Sequence, residues 1–268
     1  MICFPNAKIN IGLRIIEKRS DGFHNIETVF YPIHGLYDCL EIVDSKEISF
    51  TNSGLVIDGP IEKNLCVQAW KKLHELYKIP PVAICLHKVI PFGAGLGGGS
   101  ADAAFLLVML NEYFDLKIDI HTLQKIALSI GSDCPFFIKN TPVFAEGRGE
   151  IFTDCNVSLQ GKYIVLVNPQ IHVSTAEAYG GVKPFKREAS LLQEICTNLN
   201  TWKGIVENDF ETTVFMNHPK IGELKKQMYD LGAEYAAMSG SGSTVYGIFS
   251  REIEVPQNLP VIWKGELK

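Results

Sequence analysis

The residues most able to do chemistry form a glycine run, Gly93-Ala94-Gly95-Leu96-Gly97-Gly98-Gly99-Ser100, with five glycines among the seven positions 93–99. Without Cβ atoms to hold a ligand away, consecutive backbone N–H groups can converge on an anion. A helix starting behind the run adds roughly half a positive charge. That is the chemistry of a phosphate cradle. The run lies between a strand expected over residues 82–89 and a helix expected over 101–116, which is apolar nearly all round and so should be buried. The other reading of so many glycines is a flexible turn, but a linker is rarely followed at once by a wholly apolar helix. Ser100 could cap that helix, touch a phosphate or Mg²⁺, or do both. Asp102 fits the first turn of the helix and needs no catalytic role.

Three familiar phosphate loops are excluded by what is missing. A Walker A loop ends in Gly-Lys-Ser/Thr, whereas Gly99 is followed directly by Ser100. Gly93, Gly95 and Gly98 satisfy G-x-G-x-x-G, as any run this rich in glycine does. A dinucleotide fold also wants an acidic residue about 20 positions on, at the end of a second strand. Here Asp115 and Asp119 fall between two helices. Neither H-R-D-x-x-x-x-N nor D-F-G is present, which removes the protein kinases.

Other candidates are ambiguous by themselves. Met238-Ser239-Gly240-Ser241-Gly242-Ser243-Thr244 reads as a tight turn between two short strands. Asp133, in the turn Gly131-Ser132-Asp133-Cys134-Pro135, has the usual position of a cap or turn residue. Lys8 in an N-terminal strand reads as a solvated edge charge. The seven histidines show no HExxH or paired ligand spacing, so no metal ligands are assigned.

These residues need elements to hold them. Strands are expected at 9–15, 28–34 and 39–43, a helix at 63–78 from the spacing of Leu65, Ala69, Leu73 and Leu76, and a second helix at 121–130. Farther on, strands at 163–167, 234–238 and 244–249 and helices at 190–199 and 221–231 read as a second α+β lobe. The expected division is 1–155 and 156–268. The chain is long and apolar enough for this, with 268 residues, 46% hydrophobic and 21% charged. A net charge of −5 and no basic run argue against nucleic acid as a partner. Seven scattered cysteines without CxxC read as reduced thiols in a cytoplasmic protein. The N-terminus has no signal-peptide pattern, and no apolar run approaches the roughly 20 residues of a membrane helix, so no membrane is expected.

Taken in order, Pro5-Asn6-Ala7-Lys8-Ile9-Asn10, Arg19-Ser20-Asp21-Gly22-Phe23-His24, the stretch from Pro91 through the glycine run to Ala104, Gly131-Ser132-Asp133-Cys134-Pro135-Phe136-Phe137 and Ser239-Gly240-Ser241-Gly242-Ser243 resemble the GHMP kinase superfamily over about residues 4–250. The resemblance implies an α+β, two-lobed GHMP kinase fold with the active site in the cleft between the lobes, acting as a monomer or weak homodimer. It implies ATP with Mg²⁺, the ATP held by Pro91, Gly93, Ala94, Gly95, Leu96, Gly97, Gly98, Gly99 and Ser100, with Asn64 and Lys88 near the adenine nucleotide. Asp133 is implied as the catalytic base and Lys8 as its partner near the accepting hydroxyl. This suits the chemistry: an alcohol is a poor nucleophile at neutral pH, and a lysine can keep a carboxylate ionised and neutralise charge near the γ-phosphate. The N-terminal motif and the D-G-F-H segment point to the branch whose small-molecule substrate is a cytidine diphosphate-linked methylerythritol. There Asn10 contacts substrate, His24 hydrogen-bonds the base, and Phe23 and Tyr179 stack on it. Many relatives have tyrosine where this chain has Phe23, which keeps the ring face and loses a hydroxyl contact.

Overall fold

The computed structural model describes residues 1–57 and 59–268. Along the chain the elements are β1 (Ile2–Cys3), β2 (Asn6–Lys18), β3 (His24–Tyr37), β4 (Cys39–Asp44), β5 (Ser49–Gly54), α1 (Leu65–Tyr77), β6 (Val82–Lys88), α2 (Gly98–Tyr113), α3 (Ile120–Leu128) and α4 (Cys134–Lys139). They continue with β7 (Val143–Glu146), β8 (Ile151–Asp154), β9 (Tyr163–Val167), α5 (Thr175–Gly180), α6 (Leu191–Ile195), α7 (Phe210–Asn217), α8 (Pro219–Asp230), β10 (Tyr235–Met238), β11 (Val245–Phe249) and β12 (Val261–Glu266). No helix among the described residues is long and apolar enough to cross a membrane.

The chain forms two compact units that interleave in sequence. The first comprises Met1–Ala7, Leu36–Phe92 and Gly97–Thr141, and the second Lys8–Gly35, Gly93–Leu96 and Pro142–Lys268. The expected single break at 155 therefore differs from the observed division. The reason is β3, which pairs antiparallel with β7 at Thr28↔Ala145 and Phe30↔Val143 and so belongs with the C-terminal half. Such pairing across more than 110 residues leaves no mark on local composition.

In the first unit, a sheet of order β1-β4-β6-β5 pairs β5 parallel to β6 and the rest antiparallel. Its core includes Leu40, Ile42, Ile84 and Leu86, together with Ala103, Leu106, Leu107 and Leu110 of α2. Helix α2 meets α1 and α4, so its lack of a polar stripe is matched by its burial. Helix α1 starts at Asn64, whose side-chain oxygen accepts the Cys66 N–H. Its buried face runs through Cys66, Ala69, Trp70 and Leu73 and leaves Leu76 exposed, one step round from the stripe expected from sequence.

In the second unit, an antiparallel sheet of order β10-β11-β9-β12 carries α8 against β10 and β11. Its core gathers Val165, Val167, Val214, Ile221, Met228, Ala236 and Val245 with Leu13 and Ile15 of β2. Strand β2 is buried at every position from Lys8 to Ile15, on both faces. Pattern alone missed β5, α4, α5, α7, β12 and the β7–β8 hairpin, all of them short.

Candidate active site

The glycine run divides into a loop and a helix start. Helix α2 begins at Gly98, with Gly97 in the left-handed N-cap position and no side chain to cap it. Gly98, Gly99 and Ser100 thus lie within the first turn, and Ser100 is not the cap. The N–H groups of that turn have no partner within the helix, as anion binding at a helix start requires. Gly93, Gly95 and Gly97 all have φ between 64° and 77°. At Gly95 the demand is also steric, because a Cβ there would lie 1.9 Å from the Ser239 carbonyl oxygen.

In the second unit, the run's middle residues are held by the other glycine cluster. The turn reading of that cluster holds, since β10 and β11 pair through Met238↔Val245. The Ser239 hydroxyl donates to the Gly95 carbonyl at 2.8 Å and accepts the Asn10 N–H at 3.1 Å, while the Thr244 N–H reaches the Ala94 carbonyl at 3.2 Å. Asn208 donates through Nδ2 to the Met238 and Gly240 carbonyls at 2.7 and 2.8 Å. Sequence reading missed Asn208, because nothing near it in the chain marks it.

Lys8 is no solvated edge charge. It is 3% exposed, its backbone N–H donates to the Leu96 carbonyl, and its ammonium donates to the Gly95 carbonyl at 3.1 Å and to Asn10 Oδ1. The ammonium also lies 5.1 Å from the centre of the Phe30 ring. Asn10 completes its own bonding by donating from Nδ2 to Thr28 Oγ1 at 3.0 Å. Both ends of the Asn10 amide are thereby engaged, and what they do is aim Lys8 along the glycine run.

In the first unit, Asp133 stands immediately before α4 in a helical backbone conformation, and its side chain makes no capping bond to that helix. The bland reading of this aspartate as a cap is therefore not what is seen. Cys134 beside it is fully buried, and burial pushes its thiol up to about 12, leaving it unreactive. The same unit contains a largely apolar cavity of about 240 Å³, lined by Phe50, Ile57, Pro60, Ile61, Leu65 and Phe92 with Asn64, Lys88, Gly99 and Asp102 among its polar or backbone-bearing walls. Since Asn64 Oδ1 is taken by the Cys66 N–H, its Nδ2 is the group it can offer to a ligand. Lys88 is 1% exposed and its ammonium sits between two buried carboxylates, donating to Asp38 Oδ2 and, at 2.8 Å, to Asp102 Oδ2. Burial pulls the Lys88 ammonium down, and the charges of Asp102 and Asp38 more than offset it. Burial pushes the Asp102 carboxyl up to about 7 against the pull of Lys88.

The aromatic candidates lie in the second unit. His24 stacks on Tyr179 with centroids 4.6 Å apart and planes at 18°, and Tyr179 meets Phe210 edge-on at 4.7 Å. Phe23 is 52% exposed, and the Arg148 guanidinium lies 4.8 Å from its ring centre. Burial, with the nearby charge of Lys18, holds the His24 imidazole below its usual value, which favours the neutral ring with one donor and one acceptor nitrogen.

A glycine-lined helix start at Gly97–Ser100 in the first unit and a buried lysine directed onto the Gly95 carbonyl in the second are features suited to binding phosphate. The chain belongs to the GHMP kinases: the GHMP kinases N terminal domain matches residues 64–140 and the GHMP kinases C terminal domain matches residues 185–257. It is 51% identical over 271 residues, covering 100% of both chains, to 4-diphosphocytidyl-2-C-methyl-D-erythritol kinase of Parabacteroides distasonis. It is 52% identical over 259 residues to the protein of the same name from Bacteroides fragilis, covering 95% of this chain and 94% of that one. Among solved structures it is similar to the crystal structure of a 4-(cytidine 5'-diphospho)-2C-methyl-D-erythritol kinase, with a TM-score of 0.74 and 30% identity over 92% of this chain and 90% of that one. The fold is accordingly the GHMP kinase fold.

Proposed function

We propose that this chain transfers the γ-phosphoryl group of ATP to a hydroxyl of 4-diphosphocytidyl-2-C-methyl-D-erythritol, giving the 2-phosphate and ADP in non-mevalonate isoprenoid precursor synthesis. The observation that carries the reading is the Lys8 ammonium, buried and directed by Asn10 onto the Gly95 carbonyl of the glycine run. A fixed cation beside a phosphate cradle is what a transferring phosphoryl group needs. In the step proposed, the acceptor oxygen forms a bond to the γ-phosphorus as the bond to the β-phosphate oxygen breaks. ADP leaves with that electron pair, and the hydroxyl proton passes to Asp133. Lys8 offsets the charge on the transferring group.

The backbone N–H groups from Gly93 to Ser100 would hold the phosphates, and the cavity beside Asn64, Lys88 and Phe92 suits the adenosine end in polarity and size. Pro91 sets the backbone before the run. The Mg²⁺ expected with ATP would be carried in on the nucleotide. The Ser100 hydroxyl is the protein group that would reach it, and the ion supplies charge neutralisation. Phe23, His24 and Tyr179 would take the cytosine, the rings by stacking and the neutral His24 by hydrogen bonding. The seven unpaired cysteines suit a cytoplasmic enzyme, and nothing in the chemistry needs more than a monomer or weak homodimer.

The test is ADP release with the cytidylyl-methylerythritol substrate beside mevalonate and homoserine, for wild type and Asp133→Asn. Turnover with the first substrate alone is expected, with a loss of at least ~100-fold in the folded Asn variant. Equal turnover of all three alcohols, or near wild-type activity in Asp133→Asn, contradicts the reading.

A further inference from the structure

The glycine run owes its phosphate-binding shape to backbone freedom, and that freedom must be removed before ATP arrives if binding is to be tight. Its residues Ala94 and Gly95, which belong to the second unit, are held there by Thr244 and Ser239. The segments on either side of these residues, Lys88–Ile90 before the run and the first turns of α2 after them, lie in the first unit and meet at one ammonium. On the upstream side, Asp38 is fully buried between β3 and β4, and its Oδ1 accepts the N–H groups of Val89 and Ile90 at 2.6 and 2.8 Å. Its Oδ2 accepts from Lys88, the last residue of β6. On the downstream side, Asp102 in α2 accepts from the same ammonium at 2.8 Å. Helix and strand approach so closely that a Cβ on Gly98 would lie 2.8 Å from Lys88 Nζ and 2.9 Å from Ile90. This close approach gives Gly98 a packing reason to be glycine beyond its place at the phosphates.

The charge count is unusual for a purely structural network. Two carboxylates face one ammonium, all three are at most 3% exposed, and Asp102 Oδ1 is buried with no hydrogen-bond partner. Apolar residues of similar size commonly serve stability as well as or better than such a group. Asp38 and Lys88 alone would form a neutral pair. The carboxyl group beyond that neutral pair is therefore Asp102, the one member on the helix whose first turn would bind the phosphates.

We infer that Asp38, Lys88 and Asp102 form a buried clamp that fixes the strand end before the glycine run against the helix that follows it, with Asp102 a positioning residue for the ATP phosphates acting through Lys88. Lys88 then serves the nucleotide by where it holds α2, since its charge is already taken up by the two carboxylates. This rests on the kinase reading above and adds to it a residue that touches no reacting atom. Lys88, Gly99 and Asp102 also line the 240 Å³ cavity, so a shift of α2 against β6 would alter the cavity wall and the phosphate cradle together.

The variants are Asp102→Leu, which removes the anchor and leaves Asp38 and Lys88 a neutral pair, and Asp102→Asn, which keeps an acceptor for the Lys88 ammonium. For each, urea denaturation, equilibrium binding of a fluorescent ATP analogue, and KM for ATP and for the acceptor alcohol are measured. Asp102→Leu is expected to keep wild-type stability or exceed it, yet bind the analogue and ATP ~10-fold or more weakly, because small misplacements of a binding loop are strongly felt. KM for the acceptor should stay within about twofold, and Asp102→Asn should recover most of the loss. Unchanged ATP affinity in folded Asp102→Leu overturns the inference, as does a loss of stability with both KM values unaltered. Should the Leu variant not fold, Asp102→Asn with analogue affinity and stability both identical to an Asp102→Ala variant overturns it as well. Failure of the wild type to bind the ATP analogue would instead sink the kinase reading on which the clamp depends.

Discussion

Gly95→Ala tests the geometry of the phosphate loop most directly. Gly95 has φ +77°, where an L side chain is strained by about 1–2 kcal/mol. Its Cβ would also lie 1.9 Å from the Ser239 oxygen and 2.8 Å from the Ser239 carbonyl carbon, both backbone atoms that cannot rotate away. Forcing an extra carbon into such a contact adds about 1–3 kcal/mol, giving a total of about 2–5 kcal/mol. Gly93→Ala is the matched control. It has the same left-handed backbone at φ +64°, but its nearest neighbour is the His172 ring at 3.6 Å, so only the conformational part applies. Relief of the clash at Gly95 would pull its carbonyl from Lys8 and Ser239, so turnover should fall along with stability. Urea denaturation of the two variants, read beside KM for ATP and kcat, decides the matter. If Gly95→Ala proves as stable as Gly93→Ala and keeps its kinetic constants, the packing of the glycine run against the Ser239 turn is not as described.

Two further outcomes are expected. Phe23→Ala removes a ring that is 52% exposed and so should fold normally, while KM for the cytidylyl substrate rises ~5- to 100-fold, as base–aromatic stacking energies imply, and KM for ATP does not move; a parallel rise in both, or in neither, speaks against cytosine stacking there. The pH dependence of stability should reveal Asp102, whose carboxyl is raised from 3.8 to about 7 in the folded chain. Between those values the folded state holds a proton that the unfolded state releases, so this group's contribution is full at low pH and is lost as pH rises toward 7. Wild-type stability minus that of Asp102→Asn should decline over that window, by at most about 1.4 kcal/mol per pH unit. Denaturation at pH 5, 6 and 7 measures the slope, and a flat or rising difference would show that Asp102 titrates normally.

Much of the local structure could be read from the chain. The glycine run, the apolar helix behind it, the strand at Tyr163–Val167 and the turn joining β10 to β11 are each written in a few consecutive residues, because period, glycine content and turn chemistry act over short distances. Short elements were less legible. Helix α4 spans only Cys134–Lys139, and β7 and β8 have four residues each, too few for a period to emerge.

Residue types and order alone marked out the glycine-rich anion cradle, and through the resemblance to a kinase family they singled out Lys8, Asp133, Phe23, His24 and Tyr179 as candidates. Tertiary structure decided where each of them sits and what it touches. Lys8 looked like an edge charge until burial, Asn10 and the Gly95 carbonyl gave it a direction. Asp102 looked like an ordinary helix residue until α2 packed its carboxylate against Lys88, and Lys88 against Asp38, 50 positions earlier in the chain. Ser239 reaches Gly95 across 144 residues. The physical reason is common to all three: burial and charge pairing depend on which distant segments a sheet register and a helix packing bring together, and no local pattern encodes that choice.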